Sequence, residues 1–310
     1  MTADTSLDGA RRGQLDTGGA VLVMLAAALW GSTGTAQVKG PVGVDSLAVG
    51  GTRIALGALG LAAVAAAHHE LGRVRSIPRR HLAVGAVGIA VYQLCFFAAV
   101  RRAGVAVGTV VAIGSAPVFA GALGRTVRHE PVSRRWVVAT LLAVAGGALL
   151  VLANGTGRAV STTGVLLALG AGASYAVYAL ASKGALEHVP SAPAMAALFG
   201  AGALLLAPLT LSRPLHWLVT VRGAAMVAHL GLVTVTAAYL VYAAGLRRVP
   251  LGASATLSLA EPATATVLAT VVLGERLGGA QWAGLSLVGA GLALLAFGRT
   301  PSSARSRSVT

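Results

Sequence analysis

The sequence predicts an all-α integral membrane protein with ten transmembrane helices arranged as two inverted five-helix repeats. Composition gives the first reason. Of 310 residues, 56% are hydrophobic and only 11% are charged, against roughly 25% charged in an ordinary soluble protein, and the mean hydropathy is +0.79. A spanning helix takes about 20 apolar residues, so ten occupy roughly 200 positions and leave no length for a separate soluble domain. Recurrence gives the second. The stretch from Phe96 to Trp136 returns between Tyr239 and Trp282: Arg101-Arg102 answers Arg247-Arg248, Pro117 answers Pro262, Glu130 answers Glu275 and Trp136 answers Trp282, at offsets of 145 or 146 residues. Parity gives the third. Each copy holds five spans, an odd number, so the second copy crosses the bilayer in the opposite sense to the first.

The spans follow from the apolar windows. The first, Gly19 to Val38, comes after a polar segment with Arg11 and Arg12; Ala26 to Ala28 resembles a cleavage site, but the apolar run continues through Trp30 toward Ala36, so it reads as an uncleaved span. The next four are Leu47 to Ala67, Leu82 to Val100, Val105 to Leu123 and Trp136 to Ala153; the second set is Gly164 to Lys183, Ala192 to Leu211, Gly223 to Leu246, Leu251 to Leu273 and Gln281 to Phe297. The resulting domains are a cytoplasmic N-terminal tail (1–18), a first repeat (19–153), a linker (154–163), a second repeat (164–297) and a cytoplasmic C-terminal tail (298–310). The 41 glycines would weaken helices in water, but in a bilayer small residues let helices approach closely. Trp30-Gly31 falls on Tyr175-Ala176, and Ala148 to Leu150 on Ala293 to Leu295, which extends the duplication to the ends of each copy.

Charge sets the expected orientation. With the N-terminus in the cytoplasm, sixteen of the 24 Lys and Arg residues fall on the inner side and seven on the outer, with Arg53 set aside as intramembrane. The positive-inside rule then places both termini in the cytoplasm of a cell whose cytoplasmic membrane the chain crosses; Arg101-Arg102 on the outer side runs against it. A formal charge of +15 raises the question of nucleic acid, but the basic residues sit between apolar runs and do not alternate with aromatics on a polar face, so nucleic-acid binding is not expected. The single cysteine, Cys95, permits no disulfide within the chain.

Here the residues also resemble a known family. Tyr92-x3-Phe96 through Pro117 in the first half, and Tyr239-x2-Tyr242 through Glu261-Pro262 to Leu273-Gly274-Glu275-Arg276 in the second, resemble an EamA-type member of the drug/metabolite transporter superfamily. The resemblance covers the chain from about Gly19 to Phe297. It implies a carrier of two inverted five-helix repeats, with a central cavity lined mainly by spans one, three, four, six, eight and nine, and with spans five and ten at the periphery. The first copy departs from the pattern in having Ala116 where the second has Glu261, and Arg128-His129-Glu130-Pro131 in place of a plain Leu-Gly-Glu turn.

Few residues inside the spans can carry chemistry. Of the nine acidic residues only Glu261 falls deep in a span, where a carboxylate must be neutralised, paired or wetted; it serves either as a proton-coupling group or as a structural acid at the Pro262 break. Pro117 and Pro262 each remove a helix hydrogen bond at matching places, either as a pair of interrupted helices that marks a midplane binding site or as simple kinks for packing. Tyr175 with Tyr178, and Tyr239 with Tyr242, share a helix face by i, i+3 spacing; with Tyr92 and Trp30 they are expected to face a wet cavity. Gln93, Ser115 and His229 are polar candidates in spans three, four and eight. Arg53 is expected to snorkel to the outer interface, and Trp136 and Trp282 to sit in the interfacial belt. His68-His69-Glu70 and His129-Glu130 lack a second ligand set, so no metal site is expected.

The expected function is secondary active transport of a small metabolite, by alternating access and most plausibly as export. Amino acids, their derivatives and amphipathic amines fit the scarcity of intramembrane charge, and no GxxxxGK[ST] loop for nucleotide occurs. The expected partners are the lipid bilayer and a small-molecule substrate, with the proton as a further partner on the coupling reading of Glu261, no cofactor, and a monomeric or homodimeric state. A multidrug or cation efflux carrier is the alternative of the same class; a gated channel and a membrane-embedded enzyme are the alternatives of other classes.

Overall fold

The computed structural model describes residues 15–153 and 161–297; most of the expected N-terminal tail, the C-terminal tail and most of the linker, with Arg11, Arg12, Arg158, Arg299, Arg305 and Arg307, lie outside the described residues. Among the described residues ten helices are long and apolar enough to cross a membrane: α1 (Thr17–Val38), α2 (Ser46–Ala67), α3 (Arg79–Ala103), α4 (Val105–Val127), α5 (Arg134–Leu152), α6 (Thr162–Leu186), α7 (Ser191–Leu211), α8 (Val221–Leu246), α9 (Leu251–Leu273) and α10 (Gly279–Phe297). Several start on side-chain caps that take up the first free backbone N–H groups. Asp16 accepts from Gly19 N at 2.8 Å and its counterpart 145 residues on, Ser161, accepts from Gly164 N at 3.4 Å. The helices outrun the apolar windows: α3 takes in Arg79 and Arg80 at one end and Arg101 and Arg102 at the other, whose long stems keep the charged heads outside the apolar stretch.

The packing has the duplication written into it. Helix α3 packs on α6 as α8 packs on α1, α4 on α6 as α9 on α1, and α3 on α7 as α8 on α2; the pairs α2–α7, α4–α9 and α5–α10 join the halves across the pseudo-symmetry axis. Equivalent helices run in opposite directions. Along α5–α10, Gly291 lies against Ala139 and Ala143 while Gly146 lies against Gly284 and Val288, the pairing of antiparallel neighbours. The two five-helix halves are therefore an inverted pair.

Glycine makes these approaches possible. A Cβ on Gly146 would stand 2.6 Å from Gly284 O and from Val288 N, one on Gly245 2.8 Å from Gly19 O, and one on Gly172 2.7 Å from Ala112 O. Small residues thus fill the seams while larger ones turn outward. On α3, Gly85, Ala86, Gly88 and Ala90 are buried while Val84, Val87, Val91 and Leu94 are exposed, the arrangement suited to a hydrocarbon surround.

Two expectations are corrected here. Pro117 does not interrupt its helix: α4 runs unbroken from Val105 to Val127, because loss of one N–H leaves the turns on both sides bonded and packed on α6. Of the matched pair α4 and α9, α9 alone is broken, at Ser258-Leu259, with Glu261 N donating to Ser258 O at 3.0 Å where Pro262 cannot donate. Trp136 is not a belt residue either. Its ring lies inside against Gly121 and Gly252, whereas Trp282 is 60% exposed; the two glycines open a slot on α4 and α9 that the second copy does not offer.

Candidate functional site

Where the two halves meet, a cavity of about 390 Å³ runs from one end of the bundle to its middle, within the size of small-molecule sites. Its mouth is set by Gln37 at the end of α1, Ser46 at the start of α2, Val100 near the end of α3 and Val105 at the start of α4. These ends all lie on the side opposite Thr17. Helices α5 and α10 contribute nothing to the lining, while α2 contributes Ser46, Val49, Gly50, Arg53 and Ile54 and α7 contributes Phe199. The lining therefore reaches beyond the six spans expected.

The floor is aromatic. Trp30 on α1 meets Tyr239 and Tyr242 on α8 at ring-centroid distances of 5.0 and 5.2 Å; Tyr175 meets Tyr178 at 5.1 Å, and Phe199 meets Tyr239 at 4.3 Å. Buried hydroxyls need partners, and they find one another: Tyr178 and Tyr239 share a hydrogen bond of 3.1 Å, and Tyr175 bonds Ser258 at 3.1 Å beside the α9 break. Tyr92 extends the wall upward, stacked 5.8 Å from Phe96. Helix α8 presents Thr234, Val235 and Tyr239 from around a π-helical stretch, His229–Ala237, a local widening that recurs at functional sites. Thr236 fills part of the loosened ladder by donating to Gly231 O at 3.1 Å and also to Gly57 O on α2.

Of the residues singled out from sequence, Trp30, Tyr92, Gln93, Tyr175, Tyr178, Tyr239 and Glu261 line the cavity. The rest do not reach it. Tyr242 is fully buried behind Trp30. His229 pairs with Ser32 at 2.8 Å, and Ser115 donates to Ala112 O at 3.2 Å against Gly172. Pro117 is buried within α4 and is not part of the lining, and Pro262 borders a separate small crevice with Leu259 and Gly147. Arg53 is the main residue the sequence reading misplaced: it lines the cavity and does not snorkel to the interface. Gly50, one turn before it, lies so close to Phe97 and Gln93 that this face of α2 is turned inward. The available signal was the repeat itself, since position 198, at the same 145-residue offset, is Leu.

The other end is shut by an ionic latch. Glu130 accepts from Lys183 Nζ at 2.9 Å and from Leu251 N, the first residue of α9, at 2.6 Å; Lys183 Nζ also donates to Val249 O at 2.5 Å. Arg128 joins Glu130 at 3.5 Å to Glu187 at 2.5 Å. The hydrogen bond from Arg128 holds the Glu187 carboxyl below its ordinary range. The side chains of Lys183 and Glu130 are only 10% and 16% exposed. The latch ties α4 and its following loop to α6 and α9, and so joins the two halves.

Known proteins match along the whole of this architecture. The family profile described as EamA-like transporter family matches twice, over residues 17–152 and 162–297. Uncharacterized transporter YwfM of Bacillus subtilis is 39% identical over 89% of this chain and 92% of its own length. A probable amino-acid metabolite efflux pump of Salmonella typhimurium is 30% identical over 58% of this chain and 64% of its own. The threonine/homoserine exporter RhtA of Escherichia coli K12 is 29% identical over 83% of each chain. One solved crystal structure shares the fold with a TM-score of 0.78, at 23% identity, over 89% of this chain and 95% of that one.

Proposed function

Because the chain belongs to the EamA-like transporter family of the drug/metabolite transporter superfamily, we propose that it exports a small metabolite, an amino acid or amino-acid derivative, by alternating access. It is a transporter and not an enzyme. The observation that carries the reading is the cavity itself, open at one end, closed at the other by the Glu130 latch, and lying between inverted halves. Inverted halves exchange outward-open and inward-open forms by swapping roles about a midplane site. With both termini in the cytoplasm, the form described here faces outward and the latch is the inner gate. The names of the efflux pump and the RhtA exporters support amino acids and the outward direction. Glu261 supplies the coupling group: a proton and a substrate ammonium compete for its carboxylate, with Arg53 and Tyr92 as the titratable groups facing it.

The test is counterflow in proteoliposomes loaded with unlabelled threonine or homoserine. Saturable uptake of labelled substrate, stimulated by the internal pool, is expected; flux that neither saturates nor exchanges makes the protein a channel. Uptake of amphipathic cations with no response to any amino acid selects the multidrug reading. Replacing Glu261 with Gln is expected to abolish stimulation by a pH gradient while exchange persists, and full retention of that stimulation would overturn proton coupling.

A further inference from the structure

We infer that Arg53 and Glu261 are the two poles of a zwitterion site, the guanidinium taking a substrate carboxylate and the carboxylate taking its ammonium. The inference rests on the transport reading above and gives it a substrate chemistry. Arg53 and Glu261 are the charged side chains among the described residues that line the cavity. They are not in ion-pair contact with each other: the ion pairs among the described residues join Arg73 to Glu70, Arg128 to Glu130 and Glu187, and Lys183 to Glu130. Among the described residues neither side chain has a hydrogen-bond partner, and the Nε of Arg53 is buried without one.

Opposite charges facing one apolar, aromatic space without touching are costly to maintain. A solute of zero net charge with separated poles satisfies both at once. A simple amine would leave Arg53 unmatched and a simple acid would leave Glu261 unmatched. The planar guanidinium fork suits a carboxylate, to which it presents two parallel N–H groups, and a carboxylate accepts from any of three ammonium protons.

The repeat argues independently for the same pair. At the 145-residue offset Arg53 corresponds to Leu198, and Glu261 corresponds to Ala116. Each charge is thus present in one copy and replaced in the other by an apolar side chain: Leu198 is fully buried and Ala116 nearly so. The helix arrangement was duplicated, but the two cavity charges were not. Both stand on opposite halves, Arg53 on α2 and Glu261 on α9, so a solute bridging them also bridges the halves whose relative movement transport requires.

The test is inhibition of threonine counterflow in proteoliposomes by threonine methyl ester, which lacks the anionic pole, and by N-acetylthreonine, which lacks the cationic one. Each analogue is expected to compete roughly 10–100-fold more weakly than threonine with the wild-type protein, the cost of leaving one charged partner unmet. Arg53→Gln is expected to weaken threonine and erase its advantage over the ester alone, and Glu261→Gln to erase its advantage over the N-acetyl compound alone. Arg53→Lys, which keeps the charge, is expected to preserve discrimination against the ester with weaker threonine binding, and serves if Arg53→Gln does not fold. Equal competition by all three compounds with the wild-type protein overturns the zwitterion site while leaving amino-acid transport standing. Wild-type protein that exchanges no amino acid overturns the transport reading and the inference with it. Discrimination unchanged in both neutralised variants shows that the poles are elsewhere.

Discussion

At the shut end of the molecule, α4 finishes on His129 in the left-handed region (φ 56°) and Glu130 returns its N–H to Gly124 O at 2.9 Å; at the open end, α9 finishes on Gly274 (φ 74°) and Glu275 returns its N–H to Ala269 O at 3.2 Å. Residue for residue this is one turn made twice, 145 positions apart. Yet Glu130 is held by Lys183, Arg128 and the N-terminus of α9, whereas Glu275 and Lys39, which lies one position from the register of Lys183, are both exposed. The turn is thus common to both copies while its surroundings differ: the Glu130 copy is tied into the bundle by Lys183, Arg128 and the start of α9, and the Glu275 copy stands exposed.

The largest effect expected from breaking this contrast is at Glu130. Glu130→Gln leaves Lys183 without its carboxylate in a site that is nearly closed to water, so a loss of roughly 2–4 kcal/mol is expected, reduced from the fully buried case by residual exposure. Thermal unfolding in detergent reads it directly, and Glu275→Gln in the same assay is expected to change stability by less than about 0.5 kcal/mol. Equal losses at the two glutamates would show that the ends do not differ as described.

Next in size is the seam that both ends share. Gly146→Val drives side-chain atoms into the backbone of α10 at Gly284 and Val288, and overpacking of that kind costs about 2–3 kcal/mol. At the neighbouring Gly147, where the nearest atom stands 3.9 Å away at Pro262, Ala is expected to be tolerated within about 0.5 kcal/mol. Thermal midpoints of the two variants check the pair.

The comparison is sharpened by cross-linking. In a Cys95→Ser background, Lys39→Cys with Glu275→Cys is expected to react with a short bifunctional reagent only in the form whose cavity is closed to this end. Glu130→Cys with Lys183→Cys is expected to react in the form described here. Substrate that shifts the two yields in opposite directions fits alternation; yields that rise together, or a Lys39–Glu275 pair that never reacts during turnover, would refute the exchange of latches.

The smallest effect is acid sensitivity at the shut end. Arg128 lowers the Glu187 carboxyl below its unfolded range, so this contact stabilises above the ordinary carboxylate range and is lost as pH falls through the depressed folded value. A shallow decline in unfolding temperature on that acid limb is expected, and Arg128→Ala should remove this contribution. Glu187 is 52% exposed, which keeps the effect minor.

How much of this was legible beforehand divides by physical cause. Helix number, the duplication and its inversion were readable because they depend on apolar length and on parity, and both are properties of the chain order. Trp30, Tyr92, Gln93, Tyr175, Tyr178, Tyr239 and Glu261 were readable as inward-facing because a polar or amphipathic group deep in a span has few alternatives to protein or a wet cavity. Arg53 was misread, because a long cation near a span end is equally able to snorkel outward or turn inward, and only the approach of Gly50 to Phe97 and Gln93 chooses. Pro117 left an interruption and a packing kink both open, because loss of one hydrogen bond breaks a helix or bends it according to what packs beside it, and the structure overturns only the interruption. Trp136 was misread because its slot is formed by Gly121 on one helix and Gly252 on another.

The amino-acid sequence by itself therefore determined a ten-span inverted duplication with a scarce set of intramembrane polar groups, since burial of apolar length and satisfaction of the backbone in lipid leave little choice. Only the tertiary structure decided which of those groups share one cavity, which end of it is open, and that Glu130 seals the other. Those outcomes depend on distances between helices far apart in sequence, and such distances are set by the glycine seams packing together and not by any single segment.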